Sequence, residues 1–194
     1  MILAVTWHID GTIGLLVRED AQELVNRGYE VVILYPWHSD ERFRSDGIVY
    51  HSVAITIKSN TNIVTSVLSA MGAFSRAFSS IIHESCEHPK IDLILSYEWT
   101  GTILGFLIKC YLKKPMVSSV FSVESMRASE MNLLSLSIRG LESQSLYRSD
   151  LVLARTNEAF LRLLREYKLP SNKVKVAASP KEVPTAVEEV LNRK

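Results

Sequence analysis

The residues best suited to chemistry lie just after the apolar run Met116–Phe121, where Ser122, Glu124, Ser125 and Arg127 share a six-residue span. A carboxylate can take up a proton or accept hydroxyl bonds, and a guanidinium three residues later can neutralise it or clamp an anion. Phe121, directly before them, can carry neither proton nor charge. A second candidate is Glu98-Trp99, after the run Asp92–Ser96. A glutamate beside an indole suits a sugar, whose C–H face packs on the ring while its hydroxyls bond the carboxylate. The same pair also reads as a helix start, with Glu98 near the positive dipole end and Trp99 packed inward. A third is the turn Trp7-His8-Ile9-Asp10-Gly11-Thr12-Ile13-Gly14, whose glycines suit a sharp entry into a helix and the presentation of N–H groups to a phosphate. It is not a GxGxxG loop, and Tyr35-Pro36 stands where a dinucleotide site would need an acidic residue.

Two other patterns lead nowhere. His83, Cys86 and His88 fall in HESCEH, a spacing that matches no common zinc site, and Pro89 follows directly. No serine sits in a GxSxG elbow. No metal and no cofactor are expected.

Seven short apolar runs must position these residues: Ile2–Trp7, Glu30–Tyr35, Val49–Ile55, Asp92–Ser96, Met116–Phe121, Leu151–Ala154 and Val174–Ala177. Most lack strict alternation, as strands buried on both faces do. Helical patterns lie between them, near Gly14–Arg27, Asn62–Glu84, Thr100–Leu112, Asn132–Tyr147, Asn157–Tyr167 and Pro184–Asn192. In the first, Leu16, Asp20, Leu24 and Val25 carry the pattern, and Arg27-Gly28 closes it. The alternation predicts an α/β fold: a Rossmann-like, doubly wound, mainly parallel sheet flanked by helices in a three-layer sandwich. Ligands of such sheets bind at the carboxyl ends of the strands, where all three candidate segments fall.

A chain of 194 residues suits one domain, here residues 1–194, with 180–194 as a last helix packing back on it. The net charge of +1, without a concentrated basic run, argues against nucleic acid as a partner. Two cysteines outside any CxxC pair suggest a reducing compartment, and a cytoplasmic location is expected. Met1 leads into the run Ile2–Thr6 without a basic segment or cleavage pattern, so this reads as a first strand. The longest uncharged stretch, Ser59–Ser75, is rich in Ser, Thr and Asn, so no transmembrane segment is expected.

Taken together, these segments resemble the N-terminal half of the glycogen/starch-synthase-like retaining glycosyltransferases, which have the two-domain GT-B fold. LAVTW, Gly11 and ELVNRGYEVVIL look like that family's first strand, glycine loop, first helix and second strand. IDLILSYEWTGTILG is similar to its Asp-x-x-x-x-His-Asp-Trp-x-Thr-Gly segment. Lys114-Pro115-Met116-Val117 opens the next strand as the family does, and Ser122-Val123-Glu124, Arg127, Ser137, Ile138, Glu142 and YRSDLVLA fit its prokaryotic members. The family's N-terminal domain holds the acceptor glycan, and its C-terminal domain holds the nucleotide sugar. The resemblance therefore implies that Gly11 and Thr12 form the loop facing the donor phosphate. It likewise implies that Glu98, Trp99, Phe121, Ser122, Glu124 and Arg127 line the acceptor-side cleft.

Departures bear on function. The second glycine of the family's pair is Thr12, its His-x-His-Asp run is Leu95-Ser96-Tyr97-Glu98, and its next strand-end histidine is Phe121. Glu158 and Glu166 have the spacing of the family's donor motif but read as two exposed carboxylates two turns apart. No donor domain is encoded in this sequence. The resemblance thus implies the acceptor-side subunit of a split glycosyltransferase, with a separately encoded donor-domain subunit as partner and a glycan as acceptor. The alternative is a degenerate, non-catalytic module that binds glycan or protein.

Overall fold

A computed structural model describes residues 1–56, 62–84 and 91–193 of the protein, with side chains described except over 78–84. Eight strands form one sheet: β1 (Ile2–Val5), β2 (Val31–Trp37), β3 (Arg42–Ser45), β4 (Ile48–Ala54), β5 (Leu93–Tyr97), β6 (Met116–Val120), β7 (Leu151–Ala154) and β8 (Val174–Val176). Their order across the sheet is β3-β4-β2-β1-β5-β6-β7-β8, and only the β3–β4 pair is antiparallel. The described helices are α1 (Gly11–Asn26), α2 (Ile63–Glu84), α3 (Glu98–Leu112), α4 (Glu124–Arg127), α5 (Leu133–Tyr147), α6 (Asn157–Arg165) and α7 (Val183–Leu191). The architecture is α/β, Rossmann-like and doubly wound, as the alternation of apolar runs and helical patterns requires.

Successive residues of a strand face opposite ways, so β1 is apolar at every position once both faces are covered, and β5 is apolar but for Ser96, whose buried hydroxyl bonds to that of Ser118 at 2.8 Å. On one face Ile2, Ala4, Ile33, Leu93 and Leu95 pack with Val17, Ala21 and Leu24 of α1 and with Val183, Val187 and Val190 of α7. On the other, Leu3, Val5, Val32, Leu34 and Ile94 pack with Ala70 and Phe74 of α2 and with Leu104 and Ile108 of α3. Val120, Val123, Val152 and Ala154 make a third cluster with Leu146 of α5 and with Ala159 and Leu163 of α6.

Three details differ from the sequence reading. The buried stripe of α1 is Gly14, Val17, Asp20, Ala21 and Leu24, whereas Leu16 and Val25 are only half-buried. Strand β3 has no apolar pattern to announce it, because Arg-Phe-Arg-Ser pairs on one side only and all four residues are exposed. Asp46 and Gly47, with φ of 53° and 83°, turn it back into β4, and Phe43 stacks on Tyr50 with ring centroids 4.9 Å apart. Helix α4 is a single turn of four residues, too short to show a period. The side chains of His83, Cys86 and His88 lie outside the described residues. Among the described residues, no group of His, Cys, Asp or Glu could hold a metal ion, and no helix is long and apolar enough to cross a membrane.

Candidate functional site

The strand order reverses between β1 and β5: β1 leads through α1 to β2 on one side, and β5 leads through α3 to β6 on the other. A crevice opens at the carboxyl end of the sheet at such a switch point. All the sequence-predicted site residues lie on this edge, on the turns that follow β1, β5 and β6.

The turn after β1 is tightly built. A Cβ on Gly14 would fall 2.1 Å from the Ile9 carbonyl oxygen, so no larger residue fits there. Gly11 has φ of 68°, a conformation that favours glycine. The Arg18 guanidinium donates to the Ile9 carbonyl at 2.5 Å and holds the turn from the helix side. Asp10 makes no side-chain cap, and the first turn of α1 holds no acidic residue. Gly11 and Thr12 are exposed there, at a helix start whose first N–H groups have no partner within the helix. Beneath the turn, the buried Asp20 carboxylate accepts from the Arg155 guanidinium at 3.1 and 3.4 Å, beside the Tyr97 ring. Burial pushes the Asp20 carboxyl up to about 7, against the opposing pull of Arg155 and Tyr97.

Helix α3 starts hard against β1, since a Cβ on Gly101 would lie 2.5 Å from the Val5 carbonyl oxygen. To enter the helix there, Glu98 takes φ of 55°, a left-handed conformation that costs a non-glycine residue about 1–2 kcal/mol. Its carboxylate then turns to the next strand end. It accepts from the Phe121 N–H at 2.5 Å, the Ser122 hydroxyl at 3.5 Å and the Arg127 guanidinium at 3.4 Å. Burial pushes the Glu98 carboxyl up to about 7, against those same Phe121 and Arg127 contacts. Trp99 points inward and packs with Val67, Ile103 and Ile138, so the helix-start reading describes its ring and no face is offered to a sugar.

Arg127 is the hub. It donates to the Ser122 carbonyl at 2.7 Å and to the Ser122 hydroxyl at 3.0 Å. It also reaches Glu124 at 3.2 Å and Glu142 at 3.0 Å. Glu142 is wholly buried; it accepts from the Glu124 N–H at 2.9 Å and from the Tyr167 hydroxyl. Burial raises its pKa, opposed first by Arg127 and then by Tyr167. Glu98, Ser122, Glu124 and Arg127 are thus brought together, bonded mainly to one another, and Phe121 stands beside them with 42% of its surface exposed. What this knot does is fix the ends of β5 and β6 to α4 and α5.

One part of this edge meets the sequence candidates only at Trp7. Trp7, Pro36, Trp37, His38 and Ile55 line a recess of about 360 Å³ beside the ends of β1, β2 and β4. Trp37 is 39% exposed, and its ring centroid lies 5.0 Å from that of His38. The sequence signal was available: a tryptophan two residues past the end of β1 and another closing β2.

By sequence, no curated protein matches the chain. Sucrose-phosphate synthase from Thermosynechococcus elongatus superposes with a TM-score of 0.70 at 11% identity, over 91% of this chain and 47% of its own. Another structure of that enzyme from the same organism is covered over 98% of its chain and covers 100% of this one, with a TM-score of 0.66 at 10% identity. Anabaena Alr3699/HepE, in complex with UDP and glucose, gives 0.60 at 15% identity, over 90% of this chain and 43% of its own. The chain thus spans less than half the length of the first and third, and identities this low speak for the fold alone. The family model described as Glycosyltransferase Family 4 matches residues 13–179, most of the chain. With fold and family match in agreement, the chain belongs to Glycosyltransferase Family 4, as a glycosyltransferase domain of GT-B type.

Proposed function

We propose that this domain is the acceptor side of a glycosyltransferase of the glycogen/starch-synthase-like pattern. Sugar would be transferred from a nucleotide sugar held by a donor-binding domain that a partner subunit supplies. The observation that carries this reading is the pairing, on one sheet edge, of an uncapped α1 start at Gly11 and Thr12 with the recess lined by Trp7 and Trp37. A helix start with open N–H groups suits a donor phosphate, and the exposed Trp37 indole, beside the half-buried Trp7, suits the C–H face of an acceptor sugar. Phe121, Ser122, Glu124 and Arg127 form the further wall of the acceptor side, with Glu98 and Trp99 behind them. In this role Glu98 and Arg127 are positioning residues, since their polar atoms are bonded to the wall itself. The family match favours this reading over a degenerate binding module.

The test is sugar transfer from a radiolabelled nucleotide sugar to an oligosaccharide, with this chain alone and with a donor-binding chain added. Transfer that needs both chains, and that loses acceptor affinity on Trp37→Ala, is the expected result. Failure of the two chains to associate, together with no transfer by the mixture, overturns it.

A further inference from the structure

The opposite edge of the sheet, at the amino ends of the strands, carries a basic groove unrelated to the candidate transfer site. Two adjoining cavities of about 800 and 730 Å³ share Lys114, Pro115, Asp150 and Lys173 in their walls. Lys109, Lys113 and Arg148 complete the first, and Asp92 and Arg193 stand in the second. Six of the chain's 22 basic residues are gathered here with two of its 21 acidic ones, so the remainder carries three more acidic than basic residues.

Helix ends account for only part of this charge. The groove receives the C-termini of α3, α5 and α7, each equivalent to about half a negative charge. Lys109 and Lys173 answer that field, donating to the backbone carbonyls of Arg148, Tyr147 and Ser149 at 2.8–3.3 Å. Both carboxylates are engaged: Asp150 accepts from Lys109 and the Met116 N–H, and Asp92 from the Met1 amino group. Arg193 is held by Glu189. Lys113, Lys114 and Arg148 are left with no side-chain hydrogen bond or ion pair among the described residues. Beside them the exposed Tyr147 ring carries Lys173 over its face, 5.6 Å from the centroid.

We propose that this groove binds a phosphate-rich anion, with Lys113, Lys114 and Arg148 supplying the charge-assisted bonds. Three unpaired cations around a concave space of small-molecule size form a site for several phosphate oxygens. The ligand reaches it from solution or as the headgroup of an anionic lipid, and binding there leaves the carboxyl edge of the sheet free.

Titration calorimetry with inorganic tripolyphosphate tests the free ligand, and sedimentation with phosphatidylserine–phosphatidylcholine vesicles tests the headgroup. Replacing Lys113, Lys114 and Arg148 together by alanine should weaken binding at least about tenfold, the worth of a single charged hydrogen bond, while the variant still melts cooperatively. Arg44→Ala, an exposed cation on the far β3 edge, should bind as the wild type does. Binding to either ligand that the triple variant loses and Arg44→Ala keeps supports the site and names its source. Binding to neither, or equal loss in both variants, overturns it.

Discussion

Arg127 stands among three carboxylates, those of Glu98, Glu124 and Glu142, and its single charge cannot neutralise them all. Replacing Glu142 by alanine strips Arg127, the Glu124 N–H and the Tyr167 hydroxyl of a buried acceptor at once. We expect a loss of about 3–5 kcal/mol, read as a lowered denaturant midpoint. Burial of Glu98, more than the neighbouring negative charge, also gives a pH dependence of definite sign. The folded Glu98 carboxyl sits at about 7, above its ordinary value, so the folded state binds more protons than the unfolded one between the usual carboxylate range and pH 7. Stability therefore falls as pH rises through that window, by about 3 kcal/mol in all for this group. Asp20 and Glu142 shift the same way. Glu98→Gln should flatten the decline in melting temperature between pH 5 and pH 7.5 without abolishing it, and an unchanged slope would remove Glu98 from the account. The sequence located Glu124 and Arg127 through their spacing after a strand. It did not mark Glu142 as a hub, because one partner, Tyr167, arrives 25 residues later. A glutamate on the same stripe as Ile138 and Ser145 was the signal available for it.

Elements here are aimed by close backbone contact. Helix α3 lies on β1 only because residue 101 lacks a side chain, and the crevice inherits its width from that approach. Gly101→Ala should cost about 1–3 kcal/mol, since all three atoms nearest the new methyl belong to backbone of Val5 and Thr6 that cannot swing away. Gly140→Ala is the contrast, for a methyl there meets nothing within 4 Å in the middle of α5. That variant should gain about 0.5–1 kcal/mol, and thermal melts of the pair read both signs. All strands but β3 were legible as short, largely apolar runs, and Leu151–Ala154 matches β7 to the residue. Helix starts were less so. α1 begins at Gly11 and α3 at Glu98, both earlier than their apolar periods, because each first turn is shaped by the strand end it leaves. Asp46-Gly47 carried a strong hairpin signal, but the exposed β3 beside it had no apolar pattern to attach it to.

At the scale of the whole molecule, two chemically different edges face opposite ways, one with aromatic rings and an open helix start, the other with a ring of cations. Holding them apart is a sheet whose far ends in sequence are tied together by α7, packed on α1 through Val183, Val187 and Val190. Removing residues 183–194 uncovers that face, with each buried valine worth about 1.5–3 kcal/mol, and should lower the melting temperature by upwards of about 10 °C. An unchanged melt would mean that the sheet and α1 suffice. The layered plan was readable from the alternation of strands and helices; the basic groove was not, because its cations are scattered from residue 109 to residue 193 and meet only at the strand ends. The order of the strands carries a last consequence, for the chain in the making. Ile2 pairs with Leu93, so the central strand of the sheet waits about ninety residues for one of its neighbours. At the pace of synthesis that delay is about 5–20 s, during which β1 offers an unpaired apolar flank to any other chain nearby. A fully buried contact of the finished domain is thus left to chance through much of its birth.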